Sequence, residues 1–252
     1  MKPDGPGPFP AVVILHDCSG LGPRSSGAPR RWATELVKQG YVVAIPDSFS
    51  TRGHPDGVCI DPSPSRNEVA PFRRVRDAYE TLGYLRTLAY VDGEHVGVMG
   101  GSHGGSTTVA TIALLAGDPE AAAQRKRHGF AAAVALYPGC DIGNPRFTTK
   151  YAAAAPLLIL VGELDDWTPA EPCLRLVEAA RQGGSPVSVK VYPGAHHSFD
   201  SATLKHYNAA RVNSHAPGGR GATTAGNPEA WADSIREVMA FFARHLSRGK
   251  AP

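Results

Sequence analysis

The sequence predicts a doubly wound α/β fold, a mostly parallel sheet with helices on both faces, and three observations carry that reading. Six short runs rich in valine and isoleucine recur along the chain, and amphipathic helical patterns lie between them. The length, 252 residues with 42% apolar and 19% charged side chains, suits one large domain with an ordinary core. Continuous apolar runs of this size read as strands buried on both faces, and each parallel strand needs a crossover to reach the next.

The first run, Ala11 to Leu15, follows Phe9-Pro10 near the start. Trp32, Leu36 and Val37 form an apolar stripe that stops at Gly40, and Tyr41 to Ile45 is the second run. Phe72, Val75, Tyr79, Leu82 and Leu85 then keep helical spacing ahead of the third run, His95 to Met99. A helical run from Ser106 to Leu115 precedes the strands predicted at Ala131 to Tyr137 and Leu157 to Val161. Leu174, Val177 and Ala180 mark a helix closed by Gly183-Gly184, and Val187 to Tyr192 is the sixth run. The last helix begins at the cap Asn227, carries Pro228 in its first turn, and turns Trp231, Ile235, Val238, Phe242 and His245 or Leu246 inward. No internal repeat and no long linker divides the chain, so residues 1–252 read as a single domain with a flexible start at 1–8.

Two stretches break the rhythm. Residues 50–69 hold Gly53, Pro55, Gly57, Pro62 and Pro64, and residues 201–226 hold Pro217, Gly218, Gly219, Gly221 and Gly226. Each follows the carboxyl end of a predicted strand, where long loops are either functional or merely tolerated. We expect them to roof a pocket, with Arg52, His54 and His206 as candidate lining residues.

Composition narrows the partner. The chain has 26 basic and 23 acidic residues, a net charge of +3, and its basic residues are scattered, so there is no footprint for nucleic acid or an anionic membrane. No apolar run approaches the ~18 residues that cross a bilayer, and Met1-Lys2-Pro3-Asp4-Gly5-Pro6 has no apolar signal segment. A small molecule is the expected partner; oligomeric state is left open.

The strongest local signal is Gly100-Gly101-Ser102-His103-Gly104, a G-x-S-x-G match between the strand ending at Met99 and the helical run that follows. In such an elbow the serine sits on a sharp turn, and its neighbours must be small because two backbones approach closely. A serine hydroxyl is a poor nucleophile until a base takes its proton, so an imidazole and a group to orient it are needed elsewhere. Leu157 to Val161 runs into Gly162-Glu163-Leu164-Asp165-Asp166-Trp167-Thr168-Pro169, which puts a carboxylate past one strand end. Val187 to Tyr192 runs into Pro193-Gly194-Ala195-His196-His197-Ser198-Phe199, which puts an imidazole past the next.

The order Ser, Asp, His is that of the α/β-hydrolase arrangement. Asp165 and Asp166 compete for the orienting role, and one of them is expected to cap the helix near Pro169. His196 and His197 compete for the base. Donors for an oxyanion are expected from the backbone N–H of His103, after the nucleophile, and of Cys18, in the loop after the first strand.

Other chemistries fit less well. Ten histidines and four cysteines show no C-x-x-C or H-E-x-x-H spacing, so no metal site is expected. The glycine-rich turn lacks the Gly-Lys-Ser/Thr of a phosphate loop and does not meet G-x-G-x-x-G, so no cofactor is expected either.

With these residues located, the chain resembles the dienelactone hydrolase family of α/β hydrolases from Pro8-Phe9-Pro10 to the helix ending near Leu246. The matching pieces are Val12-Val13-Ile14-Leu15-His16-Asp17, the elbow at Ser102, Gly162-Glu163-Leu164-Asp165 with Pro169, and Ala195-His196-His197-Ser198-Phe199. The resemblance selects Asp165 over Asp166 and His197 over His196. It implies an α/β-hydrolase fold and ester hydrolysis. Family namesakes have a cysteine nucleophile held by a glutamate, where this chain has Ser102 and Asp17, so general carboxylic esters are expected rather than dienelactone itself. Strands that usually precede the Phe9-Pro10 segment are missing, which implies a trimmed chain or a different sheet edge.

In the hydrolase topology that this resemblance implies, the strands before Cys18 and Cys59 are neighbours, as are those before Cys140 and Cys173. Pairing 18 with 59 and 140 with 173 is expected on that ground, and would point to a secreted or periplasmic protein; unpaired cysteines would point to the cytoplasm. The sequence as a whole therefore predicts a serine esterase with Ser102, His197 and Asp165 as its triad. Acyl transfer, a polymeric or aromatic ester substrate, and a non-catalytic ligand-binding role are the alternatives.

Overall fold

Alternate side chains of a strand point to opposite faces, so an unbroken apolar run is stable only between two covering layers. Strand β1 (Phe9–Leu15) obeys this: Ala11, Val13 and Leu15 enter one core, and Val12 and Ile14 enter another. The computed structural model describes residues 1–114, 119–142 and 145–247. It sets five further parallel strands beside β1: β2 (Val42–Ala44), β3 (Val91–Gly101), β4 (Ala132–Leu136), β5 (Leu157–Gly162) and β6 (Val187–Tyr192). Their spatial order is β2-β1-β3-β4-β5-β6. The six predicted runs are these six strands, in an α/β sheet of the expected class.

The helices are α1 (Ala28–Lys38), α2 (Pro71–Arg86), α3 (His103–Thr111), α4 (Pro119–His128), α5 (Pro145–Thr149) and α6 (Ala170–Gln182) between the sheet strands, and α7 (Pro228–Leu246) after them. Leu82 of α2, Val109 of α3 and Leu176 of α6 pack into the first core, and Trp32 and Leu36 of α1 with Val238 and Phe242 of α7 into the second. Full burial of each such side chain contributes about 1.5–3 kcal/mol. The α7 boundary is the one expected, with the Asn227 side chain accepting the Ala230 N–H at 3.0 Å. Helix α3 starts at His103, earlier than predicted, and the expected end at Leu115 lies outside the described residues. Helices α4 and α5 were not anticipated, because α4 is alanine-rich and basic with no apolar stripe and α5 is a single turn or so.

At the chain start, where a flexible segment was expected over residues 1–8, the Met1 ammonium donates to the Val43 carbonyl at 2.7 Å, and the Val43 N–H donates to the Met1 carbonyl at 2.9 Å. The backbone groups on the open side of β2 are thereby satisfied. Residues 201–226 are not loop throughout, since β7 (His206–Val212) and β8 (Arg220–Thr224) pair antiparallel as a separate hairpin. Strand β7 is mostly exposed and polar, so it lacks the apolar run that betrays a buried strand. Residues 50–69 contain two short 3₁₀ turns, Ser50–Arg52 and Pro64–Val69.

Candidate active site

Everything chemical lies at the carboxyl edge of the sheet, where ligands collect in open α/β folds. Ser102 joins β3 to α3 with φ 54° and ψ −119°, a conformation that costs a non-glycine residue about 1–3 kcal/mol. Two backbone bonds hold it there: the Ser102 N–H donates to the Leu136 carbonyl at 2.9 Å, and the Ser106 N–H donates to the Ser102 carbonyl at 2.8 Å. The small residues of the motif have a plain steric role, because a Cβ on Gly104 would collide with the Leu15 carbonyl oxygen. The elbow is therefore pressed against the end of β1.

His197, in the loop after β6, is 1% exposed. Its Nε2 lies 2.9 Å from Ser102 Oγ, and its Nδ1 lies 2.8 Å from Asp165 Oδ2. Such an imidazole donates Nδ1–H to the carboxylate and accepts the serine proton at Nε2. The ring is clamped between Tyr137 at 4.7 Å and Trp167 at 4.8 Å between centroids. Asp165, in the loop after β5, is held in turn: Oδ1 accepts the N–H groups of Trp167 at 2.9 Å and Thr168 at 2.8 Å. The Thr168 hydroxyl lies 3.0 Å from Asp165 Oδ2, 3.0 Å from His197 Nδ1 and 2.9 Å from the Tyr137 carbonyl. The structure thus brings Ser102, His197 and Asp165, the three residues selected in the sequence, into one hydrogen-bonded line.

Their rivals are elsewhere. His196 turns its Nδ1 to the Leu164 carbonyl at 2.9 Å. Asp166 accepts the Thr223 N–H at 2.8 Å and the Thr223 hydroxyl at 2.7 Å, tying the site loop to β8. Neither aspartate caps α6, contrary to expectation: its N-cap is Pro169, with no side-chain cap bond, and Asp165 closes a tight turn instead.

Cys18 and His103, the expected backbone donors, line a recess of about 120 Å³ together with Ser102. The His103 N–H opens α3 and has no acceptor within its own helix. Behind both lies a buried polar cluster that no sequence motif marks. Arg74 of α2 places Nη1 2.7 Å from His103 Nδ1 and donates Nη2–H to the His16 carbonyl at 2.9 Å. Burial above all, then the Arg74 charge, hold His103 well below the usual imidazole range and lower His16 to about 4, so both rings are neutral near pH 7. Burial likewise lowers Arg74 to about 9, which leaves it a cation near pH 7.

A larger cavity of about 310 Å³ opens over Ser102 and His197, with Asp17, Arg31, Trp167, Asp200, His206 and Arg211 among its walls. Of the expected lining residues His206 is present, whereas Arg52 is engaged by Asp77 at 2.5 Å and His54 is buried beside the Ser65 carbonyl at 3.2 Å. Asp200 is fully enclosed beneath the site, accepting from Trp32 Nε1 at 2.7 Å and the Tyr137 hydroxyl at 2.9 Å; burial raises its carboxyl above the usual range. No local motif marks Asp200 or Arg74, since each is defined by partners far along the chain.

Disulfides join Cys18 to Cys59 and Cys140 to Cys173, the pairing expected from the topology, and they point to an oxidising compartment. Among the described residues the one group of candidate metal ligands is Asp17, Cys18 and Cys59, whose sulfurs are bonded to each other and are not thiolates. Among the same residues no helix is long and apolar enough to cross a membrane.

The chain is similar to known proteins over nearly its whole length. A family model described as "Dienelactone hydrolase family" matches residues 1–246. A Yersinia pestis protein named "Putative carboxymethylenebutenolidase" is 27% identical over 217 residues, covering 82% of this chain and 75% of that protein. The structure of Thermogutta terrifontis esterase 2 with propionate bound superposes with a TM-score of 0.65 at 17% identity, covering 98% of this chain and 89% of that one. The same esterase phosphorylated by paraoxon gives 0.64 at 18% identity, with 98% and 89% covered. An elbow on the central strand of a parallel sheet, continuous with a family match that spans both ends of that sheet, leaves one conclusion: the chain belongs to the dienelactone hydrolase family and is a carboxylic-ester hydrolase.

Proposed function

We propose that this enzyme cleaves small carboxylic esters through an acyl-enzyme on Ser102, with His197 as general base and then acid and Asp165 as the group that orients it. The observation that carries the reading is the pair of hydrogen bonds on His197, 2.9 Å to Ser102 Oγ and 2.8 Å to Asp165 Oδ2. Ser102 Oγ attacks the ester carbonyl while its proton passes to His197 Nε2. The oxyanion so formed is held by the N–H groups of Cys18 and His103. Collapse breaks the bond to the alkoxy group, which leaves as the alcohol with the proton from His197. Water then repeats the sequence on the acyl-enzyme and releases the acid.

A cavity of about 310 Å³ is at the small end of the ~300–1,000 Å³ usual for ligand sites, and favours short acyl and alkyl parts. An oxidising compartment and the absence of a cysteine nucleophile are compatible with a secreted or periplasmic serine esterase. The test is hydrolysis of p-nitrophenyl acetate and butyrate by wild type and Ser102→Ala. A fall in kcat of at least about 10³-fold, with loss of labelling by a fluorophosphonate, is expected. Equal rates in the two proteins would remove the reading.

A further inference from the structure

We propose that Arg74 is a positioning residue for ester cleavage: one guanidinium, enclosed beneath the nucleophile elbow, holds together the two separate segments that supply the oxyanion donors. The proposal rests on the Ser102 mechanism above and extends it to a residue outside the triad.

Arg74 has no solvent exposure. Enclosing a guanidinium costs several kcal/mol unless its surroundings compensate, and an apolar side chain would fill the same space at lower cost. Packing therefore gives no reason for an arginine here. Its contacts give one. Nη1 donates to His103 Nδ1 at 2.7 Å, so it holds the side chain of the residue whose own N–H follows the nucleophile. Nη2 donates to the His16 carbonyl at 2.9 Å, two residues before Cys18. The two ends of one rigid fork thus reach the β3–α3 elbow and the β1 loop just past the last β1–β3 pair, Leu15 with Gly100, and carry the link beyond the sheet ladder.

The rest of the cluster keeps that fork aimed. Phe49 lies under the guanidinium at 4.9 Å and meets His16 and His103 edge-on at 4.4 and 5.6 Å. His16 is fixed by its own bonds, accepting the Ser48 N–H at Nε2 at 3.1 Å and donating Nδ1–H to the Asp17 carbonyl at 2.9 Å. Among the described residues no carboxylate lies within ion-pair distance of Arg74, and its Nε has no partner. Asp77, Asp17 and Asp47 act on it only from beyond that distance, so the guanidinium charge is not neutralised by a direct partner behind the place where negative charge develops during attack. Preorganised donors and charge at that place are worth most in the transition state and little in the ground state.

The experiment compares Arg74→Met, Arg74→Lys and His103→Ala with wild type, using p-nitrophenyl butyrate and a trifluoromethyl ketone that forms a tetrahedral adduct on serine. For Arg74→Met we expect kcat to fall on the order of 10- to 100-fold with KM changed less than about twofold, and the ketone Ki to rise by the same factor as kcat falls. Arg74→Lys, which keeps the charge but not the fork, recovers part of the loss. His103→Ala cuts the link from the elbow side and gives a parallel loss, so it decides the matter if the Arg74 variants do not fold. Folded variants with kcat and Ki near wild type, or with kcat reduced and Ki unchanged, overturn the proposal. Activity retained in Ser102→Ala overturns the mechanism beneath it, which separates the two failures.

Discussion

His16 is a buried base kept neutral by its surroundings, with its pKa lowered to about 4 by burial first and the Arg74 charge second. In the unfolded chain the same imidazole takes up a proton near pH 6.5, so between those values the unfolded state binds more protons than the folded one. The sign follows: the contribution to stability is complete above pH ~6.5 and is lost as pH falls towards ~4, reaching at most about 3 kcal/mol. Urea unfolding between pH 7.5 and 4.5 measures it, and His16→Gln is expected to flatten the pH dependence relative to wild type; an unchanged slope would refute the assignment. Ser102 follows a similar residue-scale logic, since its strained backbone is tolerated where Leu136 and Ser106 over-determine it.

At the scale of elements, the β7–β8 hairpin acts as a side wall of the site. The Val212 N–H donates to the Cys59 carbonyl at 2.9 Å, Trp167 Nε1 donates to the Val212 carbonyl at 2.9 Å, and the Ala225 N–H donates to the His197 carbonyl at 3.1 Å. Asn213, buried at the tip, is the chief clasp: Nδ2 donates to the Asp166 carbonyl at 2.9 Å and the Gly221 carbonyl at 2.8 Å, and Oδ1 accepts the His215 N–H at 2.9 Å. Asn213→Ala leaves those groups unpaired at a cost of about 1–3 kcal/mol. We expect faster hydrogen exchange confined to the hairpin and a raised KM with a smaller change in kcat; uniform exchange across the sheet would show the hairpin is not an independent unit. Unlike the sheet strands, this element was invisible as a periodic apolar run. Its residues find their partners in Asp166, Trp167 and Cys59 rather than in a core.

For the molecule as a whole, two disulfides fasten loops at the same edge of the sheet. They close separations of 41 and 33 residues, each restricting the unfolded chain by up to about 4 kcal/mol. Their consequences differ. Cys18–Cys59 binds the loop after β1 to the 50–69 segment, whereas Cys140–Cys173 ties the loop after β4 to α6. Both double-serine variants are expected to melt lower, and the loss of kcat to be greater for Cys18→Ser/Cys59→Ser. Equal kcat in the two would show that the first disulfide does not steady the site.

The six sheet strands, the amphipathic helices and the serine elbow were legible because each rests on a local pattern: a run of β-branched residues, an amphipathic stripe, a pentapeptide at a strand end. Asp165 and His197 were preferred to their neighbours on the family resemblance, and the two lie in one hydrogen-bonded line with Ser102. What tertiary structure alone decided is the enclosure of that site. Arg74 under His103, Asp200 under Tyr137 and Trp32, the hairpin over Trp167 and the bond of Met1 to Val43 all join segments with no shared periodicity. The physical reason is that burial of an apolar face writes a repeating signature into neighbouring residues. A hydrogen bond between one buried polar atom and another, brought together by the folded sheet, writes none.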